Sequence, residues 1–171
     1  MTATVLLIHG AWLTPRFWDR FQDRYAARGL TVSAPAWPLL DAPVEDLRLR
    51  PGRALGRLSL DEVVESYAAH AEGLAEPPIL IGHGFGGLVV QRLLDRGCGA
   101  CGVAIGSTPP FGLLERPRAA WALRRILARW SGWDGAAPLS PDRFAVLFAQ
   151  SLPEAVRRAV YAELIVPAPA R

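Results

Sequence analysis

The sequence predicts an α/β fold: a three-layer αβα sandwich around a parallel sheet of about four strands, followed by a helical segment. Three observations predict it. Short aliphatic runs alternate with stretches of helical periodicity through residues 1–107. A glycine-rich turn, Gly82 to Gly87, joins one of those runs directly to a helix. Beyond Pro109-Pro110 the strand-like runs stop and only helical periodicity remains. The resulting order, β-α-β-α-β-α-β, makes each helix a crossover between parallel strands.

The elements follow in order. Thr4 to Ile8 is a buried-strand run, ended by His9-Gly10. Thr14-Pro15 reads as a helix start, with Thr14 as N-cap and Pro15 in the first turn. Phe17, Trp18, Phe21 and Tyr25 share its apolar face, and Gly29 closes it. Leu30 to Ala34 is a short strand, and Pro35-Ala36-Trp37-Pro38 excludes helix interior. Residues 39–57 carry little periodicity and read as a long surface loop. Ser59-Leu60-Asp61-Glu62 is a capping-box pattern opening a helix with Leu60, Val63, Val64, Tyr67, Ala71 and Leu74 on one face. Pro77-Pro78 stops that helix, and Ile79-Leu80-Ile81 is the third strand. Phe85 to Arg96 is the next helix, ended by Gly97, and Ala100 to Ile105 is the fourth strand. Residues 117–163 then read as three helices. The first carries Trp121, Leu123, Ile126, Leu127 and Trp130; the second starts at Ser140-Pro141; the third starts near a second capping-box pattern, Ser151 to Glu154. The expected division is a core over residues 1–107 and a cap-like segment over 108–171 within one domain.

Composition narrows the function. With 51% hydrophobic and 20% charged residues, the chain has the balance of a core-forming protein. All 19 basic residues are Arg, and they are scattered among acids rather than aligned in a stripe that could track phosphates. No nucleic-acid partner is expected. No secretory signal or membrane-length apolar run is visible, so the expectation is a cytoplasmic protein without a membrane role. Cys98 and Cys101 form a lone CxxC in a glycine-rich connection, without a second ligand pair. It points to no metal or redox chemistry, and no cofactor is expected.

The chemistry-bearing segment is Ile79-Leu80-Ile81-Gly82-His83-Gly84-Phe85-Gly86-Gly87, running from strand through a tight turn into a helix. It is not a dinucleotide fingerprint. That motif follows the first strand of its unit and leads to an acid at the end of the next strand, whereas this next strand ends at Ile105-Gly106-Ser107. The segment resembles the nucleophile elbow, G-x-S-x-G, of the α/β-hydrolases. There Gly82 and Gly86 allow strand and helix to approach closely, and Gly84 holds the position where that family has a nucleophile. His9-Gly10-Ala11-Trp12 resembles the family's His-Gly oxyanion loop. The resemblance covers nearly the whole chain and implies an esterase- or lipase-like fold with a lid-like C-terminal segment.

Carried over position by position, the resemblance makes the backbone N–H groups of Ala11 and Phe85 the oxyanion donors. It places His9, Gly10, Trp12 and His83 around the turn and pocket floor, with Ser107 at the pocket mouth. The departures concern the triad. Gly84 has no side chain to attack a carbonyl. The family order is nucleophile, acid, His, yet the three histidines, His9, His70 and His83, all precede Gly84. An early acid would fall near Gly106. The implied protein is therefore related to hydrolases of esters, lactones or similar small apolar carbonyl compounds, with its acyl-transfer machinery impaired. The alternatives are a pseudoenzyme that binds an apolar small molecule, and an accessory chain completed by a partner. The fourth strand would be an open sheet edge, from which a homodimer or a partner chain is expected.

Overall fold

A computed structural model of the chain describes residues 2–109 and 135–169. Four strands form one parallel sheet in the order β2-β1-β3-β4. They are β1 (Thr4–Ile8), β2 (Thr31–Ser33), β3 (Ile79–His83) and β4 (Cys101–Ile105). Their side chains alternate across the sheet, as the pleat requires. Leu6, Ile8 and Leu80 enter one apolar cluster with Val63, Tyr67, Val89 and Leu93. Val5, Leu7 and Ile81 enter another with Trp18, Phe17 and Tyr25. A sheet buried on both faces accounts for the near-continuous aliphatic strands.

The first face is covered by α4 (Leu60–Glu72) and α5 (Phe85–Asp95). The Ser59 capping box is formed in full: its Oγ accepts from the Glu62 N–H, while the Glu62 carboxylate accepts from Ser59 N at 2.7 Å. The backbone N–H of Ser59, and its Oγ donating at 2.8 Å, hold the Glu62 carboxyl below its ordinary pKa. The second face carries a 3₁₀ turn at Pro15–Trp18 and α1 (Asp19–Ala26). The expected helix from Pro15 thus begins as a 3₁₀ turn. Thr14 supplies no side-chain cap; its Oγ1 is buried without a partner. Gly29, at φ +78°, ends the helical stretch as expected.

Residues 39–57 are not the surface loop that their weak periodicity suggested. They form α2 (Val44–Leu49) and α3 (Arg53–Arg57), with Leu40, Leu47, Leu55 and Leu58 buried. Helices of one or two turns are too short to display a 3.6-residue pattern. The leucines join the main apolar cluster with Ile8, Trp37, Val63, Ala137 and Val166. A Cβ on Gly56 would lie 2.4 Å from the Gly135 backbone, so the chain crosses here in direct backbone contact.

In the C-terminal part, α6 (Pro141–Leu147) starts at Ser140-Pro141 as expected, with Ser140 capping the Arg143 N–H. The last helix, α7 (Glu154–Leu164), begins after Pro153 and has no side-chain cap. Ser151 is no capping-box residue: Glu154 is the first helical position, whereas a box needs it at the third. The helix expected around Trp121 to Trp130 lies outside the described residues.

The sandwich is unequal. Cys101, Val103 and Ile105 share a face with Ile79 and Ile81, but among the described residues no helix covers them, and all five β4 residues are exposed. β4 is also the sheet edge. No helix of the described residues is long and apolar enough to cross a membrane.

Candidate functional site

The site is built where β3 turns into α5. Gly84 sits at the apex with φ +58° and ψ −120°, a conformation that costs a side-chain-bearing residue about 1–3 kcal/mol. Its peptide is held from several sides. Its N–H donates to the Ile105 carbonyl, and its carbonyl accepts from Gly87 and Thr108 N–H, all at 3.0–3.1 Å. The flanking glycines are required by contact. A Cβ on Gly82 would lie 2.1 Å from the Gly86 carbonyl oxygen, and one on Gly86 would lie 2.2 Å from that of Ile8. Gly84 differs. A Cβ there would meet only Gly10 Cα, at 4.0 Å.

That same contact shows the loop after β1 facing the apex. Gly10, Ala11 and Trp12 line a cavity of about 400 Å³ together with His83, Gly84 and Phe85. Neither the Ala11 nor the Phe85 N–H donates to a backbone carbonyl among the described residues. Phe85 opens α5, so the N-terminal end of an 11-residue helix is directed at the cavity. Apart from Thr108, the rest of the wall is apolar and comes largely from α6, α7 and their flanks, including Phe144, Phe148 and Val160. No Asp, Glu or Arg lines the cavity among the described residues.

The histidines have three different situations. His9 does not line the cavity. It is fully buried, stacked on Trp37, and accepts the Trp37 N–H at Nε2 (3.1 Å). Nδ1 therefore carries the proton and donates to the Gly10 carbonyl (2.9 Å), fixing the tautomer. Burial lowers its pKa to about 4, with the Gly10 bond opposing the shift. His9 is a neutral brace for the loop that carries Ala11. His83 does line the cavity, packed on Phe17 with ring centroids 4.8 Å apart. Its Nδ1 is buried without a partner, and desolvation holds its pKa below the ordinary value. His70 is exposed on α4 and bonded to Ser33 Oγ at 3.1 Å. No histidine is placed with an acid partner at the apex among the described residues.

Ser107 is not a cavity residue, despite its place after β4. Its Oγ donates to the Thr108 carbonyl and accepts from Gln91 Nε2, both at 3.0 Å, and the residue packs against Gly87. Its neighbours Gly106 and Thr108 reach the cavity instead. The left-handed φ of +52° at Gly106 marks the turn between them. Phe17 and Ile165 also line the cavity and were not expected there. Phe17 reads in sequence only as one more residue of an apolar helix face, and nothing local marks Ile165.

Tertiary contacts fasten the C-terminal part over the site. Trp12 Nε1 donates to the Ala137 carbonyl, and the Trp12 carbonyl accepts from Val166 N–H, each at 3.0 Å. Arg48 stacks on the Tyr161 ring and donates to the carbonyls of Tyr161, Ala162 and Ile165, capping the end of α7.

A family model described as the alpha/beta hydrolase family matches residues 5–171. The chain belongs to that family. No curated protein matches the sequence. Among solved structures, it is similar to an extracellular alpha/beta-hydrolase from a Paenibacillus species, at 20% identity and TM-score 0.75, covering 98% of this chain and 67% of that one. That protein is described as sharing structural and functional homology with tobacco salicylic acid binding protein 2. It is also similar to tomato methylketone synthase I, solved with 2-tridecanone, at 16% identity and TM-score 0.69, covering 98% and 68%. A third is polyneuridine aldehyde esterase, at 15% identity and TM-score 0.66, covering 99% and 70%. The chain thus spans about two thirds of these proteins' length, and the likeness establishes the shared fold.

Proposed function

We propose that this α/β-hydrolase-family protein binds a small apolar carbonyl compound and does not turn it over. The observation that carries the reading is Gly84: the elbow is intact in backbone geometry but offers no nucleophile. Acyl transfer needs an attacking atom and a base to take its proton. His9 has both ring nitrogens engaged, and His70 is bonded to Ser33 away from the cavity. What is retained suits recognition: N–H groups at Ala11 and Phe85 that donate to no backbone carbonyl among the described residues, a helix N-terminus and a largely apolar cavity of about 400 Å³. Esterase and methylketone synthase neighbours are consistent with a ligand of carbonyl type.

The test pairs turnover with binding. Short- and medium-chain aryl esters are expected to release no chromophore above a heat-denatured control, while saturable ligands raise the thermal midpoint. Gly84→Ser is expected to remain inactive, because among the described residues no histidine at the apex has an acid partner; His83 lines the cavity, but nothing orients it as a base. Sustained turnover by the unmodified chain, surviving repurification, would overturn the reading. Failure to bind any apolar carbonyl compound, with a partner recovered on pull-down, would favour an accessory chain instead.

A further inference from the structure

We propose that Arg48 is a positioning residue for the ligand: from outside the cavity it fastens α7, and so holds ready the wall against which an apolar carbonyl compound packs. The inference rests on the binding role proposed above. α7 contributes Val160 to the cavity, yet none of its residues is fully buried and its N-terminal end has no side-chain cap. A surface helix with so little buried apolar area belongs to the low-stability end of a fold unless something else holds it. Arg48 supplies that hold. It stands half-buried in the last turn of α2, and its Nε donates to the Ile165 carbonyl at 2.7 Å. Its Nη2 donates to the carbonyls of Tyr161 and Ala162. Those two belong to the last turn of α7, where a helix supplies few partners of its own.

Four cavity residues hang on the groups that Arg48 holds. Val160 directly precedes Tyr161, and Ile165 carries one of the three carbonyls. The Tyr161 ring lies under the guanidinium, with its centroid 4.8 Å from Cζ. Its hydroxyl donates to the Leu139 carbonyl at 2.8 Å, and its ring packs on Phe144 with centroids 5.9 Å apart. Leu139 and Phe144 line the cavity as well. Arg48 and Tyr161 do not line it, so Arg48 acts on the ligand through the wall. One guanidinium thus ties this wall to α2, which is rooted in the main apolar cluster through Leu47. A wall already in place spares a ligand the cost of ordering it. Without Arg48 the formed wall is a smaller fraction of the ensemble, and apparent affinity falls by that fraction.

The experiment compares wild type, Arg48→Ala and Arg16→Ala by amide hydrogen exchange and by titration with acetophenone and 2-acetonaphthone. Binding is followed by tryptophan fluorescence, to which Trp12 in the cavity wall contributes. Arg16 is the control: it also meets α7, but through the exposed Glu163 carboxylate at 3.8 Å, an ion pair worth little. In Arg48→Ala the amides of residues 157–164 should exchange faster while those of α4 keep their protection. Both ketones should bind about fivefold more weakly or worse. Saturating 2-acetonaphthone should return α7 to its wild-type protection, because ligand and Arg48 order the same wall. Arg16→Ala should match wild type in both readouts. Arg48→Lys keeps the charge but neither the planar fork nor the flat stack, and carries the same test should Arg48→Ala not fold. Faster α7 exchange with unchanged ketone affinity would overturn the inference, leaving Arg48 a structural cap and the binding role standing. Unchanged α7 exchange would overturn it too, as would an equal loss in Arg16→Ala. Faster exchange spread evenly over α4 and α7 would assign the effect to overall stability and overturn it as well. A wild type that binds neither ketone would remove the inference together with the proposed function.

Discussion

Acidification should destabilise this protein through His9. The imidazole is fully buried, and its pKa falls from an ordinary value near 6.5 to about 4. Desolvation is the main cause, and the bonding explains why it is not relieved. Protonating Nε2 would set a new N–H against the Trp37 N–H that donates to it. The unfolded chain takes up a proton as pH falls through 6.5; the folded chain refuses it until about 4. Stability is therefore full above 6.5, declines as pH falls between 6.5 and 4, and levels off below that range. Moving from about pH 7.5 to about pH 5 should cost about 2 kcal/mol. His83, also depressed, contributes with the same sign. The assay is urea unfolding followed by tryptophan fluorescence at both pH values, for wild type and His9→Gln. The variant, whatever its overall stability, should lose less on acidification. Imidazole NMR gives a check independent of the variant: His9 should stay neutral at pH 5 with its proton on Nδ1. Parallel pH dependence in the two proteins, or a His9 signal titrating near 6.5, would refute the reasoning.

Three further outcomes follow from packing. Gly82→Ala forces a methyl onto the Gly86 carbonyl at 2.1 Å and should cost ~3 kcal/mol or more in denaturant unfolding, whereas Gly52→Ala, with open space around it, should be nearly neutral. Ser59→Ala removes the α4 cap and should cost ~1 kcal/mol, with Asp at that position recovering most of it. The β4 edge carries no charge or proline and exposes Val103 (49%) and Ile105 (39%). Wild type should therefore scatter light as a dimer paired through β4, and Val103→Lys as a monomer. A monomeric wild type that binds no hydrophobic dye would end that expectation.

How much was legible in the sequence depended on how local the cause was. The three longest strands are five-residue aliphatic runs bounded by Gly, Pro or His-Gly, and each was found within two residues of its place. The capping box at Ser59 is closed by residues three apart, so its formation could be read directly. The tight turn from β3 into α5 was legible because Gly82 and Gly86 are imposed by a backbone collision that any side chain would cause. The pattern at Ser151 failed because Pro153 shifted the helix start, and residues 39–57 failed because their leucines join a cluster drawn from the whole fold, with Ile8, Val63, Ala137 and Val166 among its members.

By itself, then, the sequence determined the family, the alternation of strand and helix, and the glycine at position 84. These rest on short-range periodicity, on turns that only glycine permits and on one residue's identity. The tertiary structure decided the roles. It made His9 a locked neutral brace and His83 a cavity wall, turned Ser107 toward Gln91, and fastened α7 over the site through Arg48 and Trp12. It alone showed that Gly84, unlike the glycines beside it, borders open space. Those outcomes depend on which surfaces meet across the fold, and no local pattern in the chain encodes such meetings.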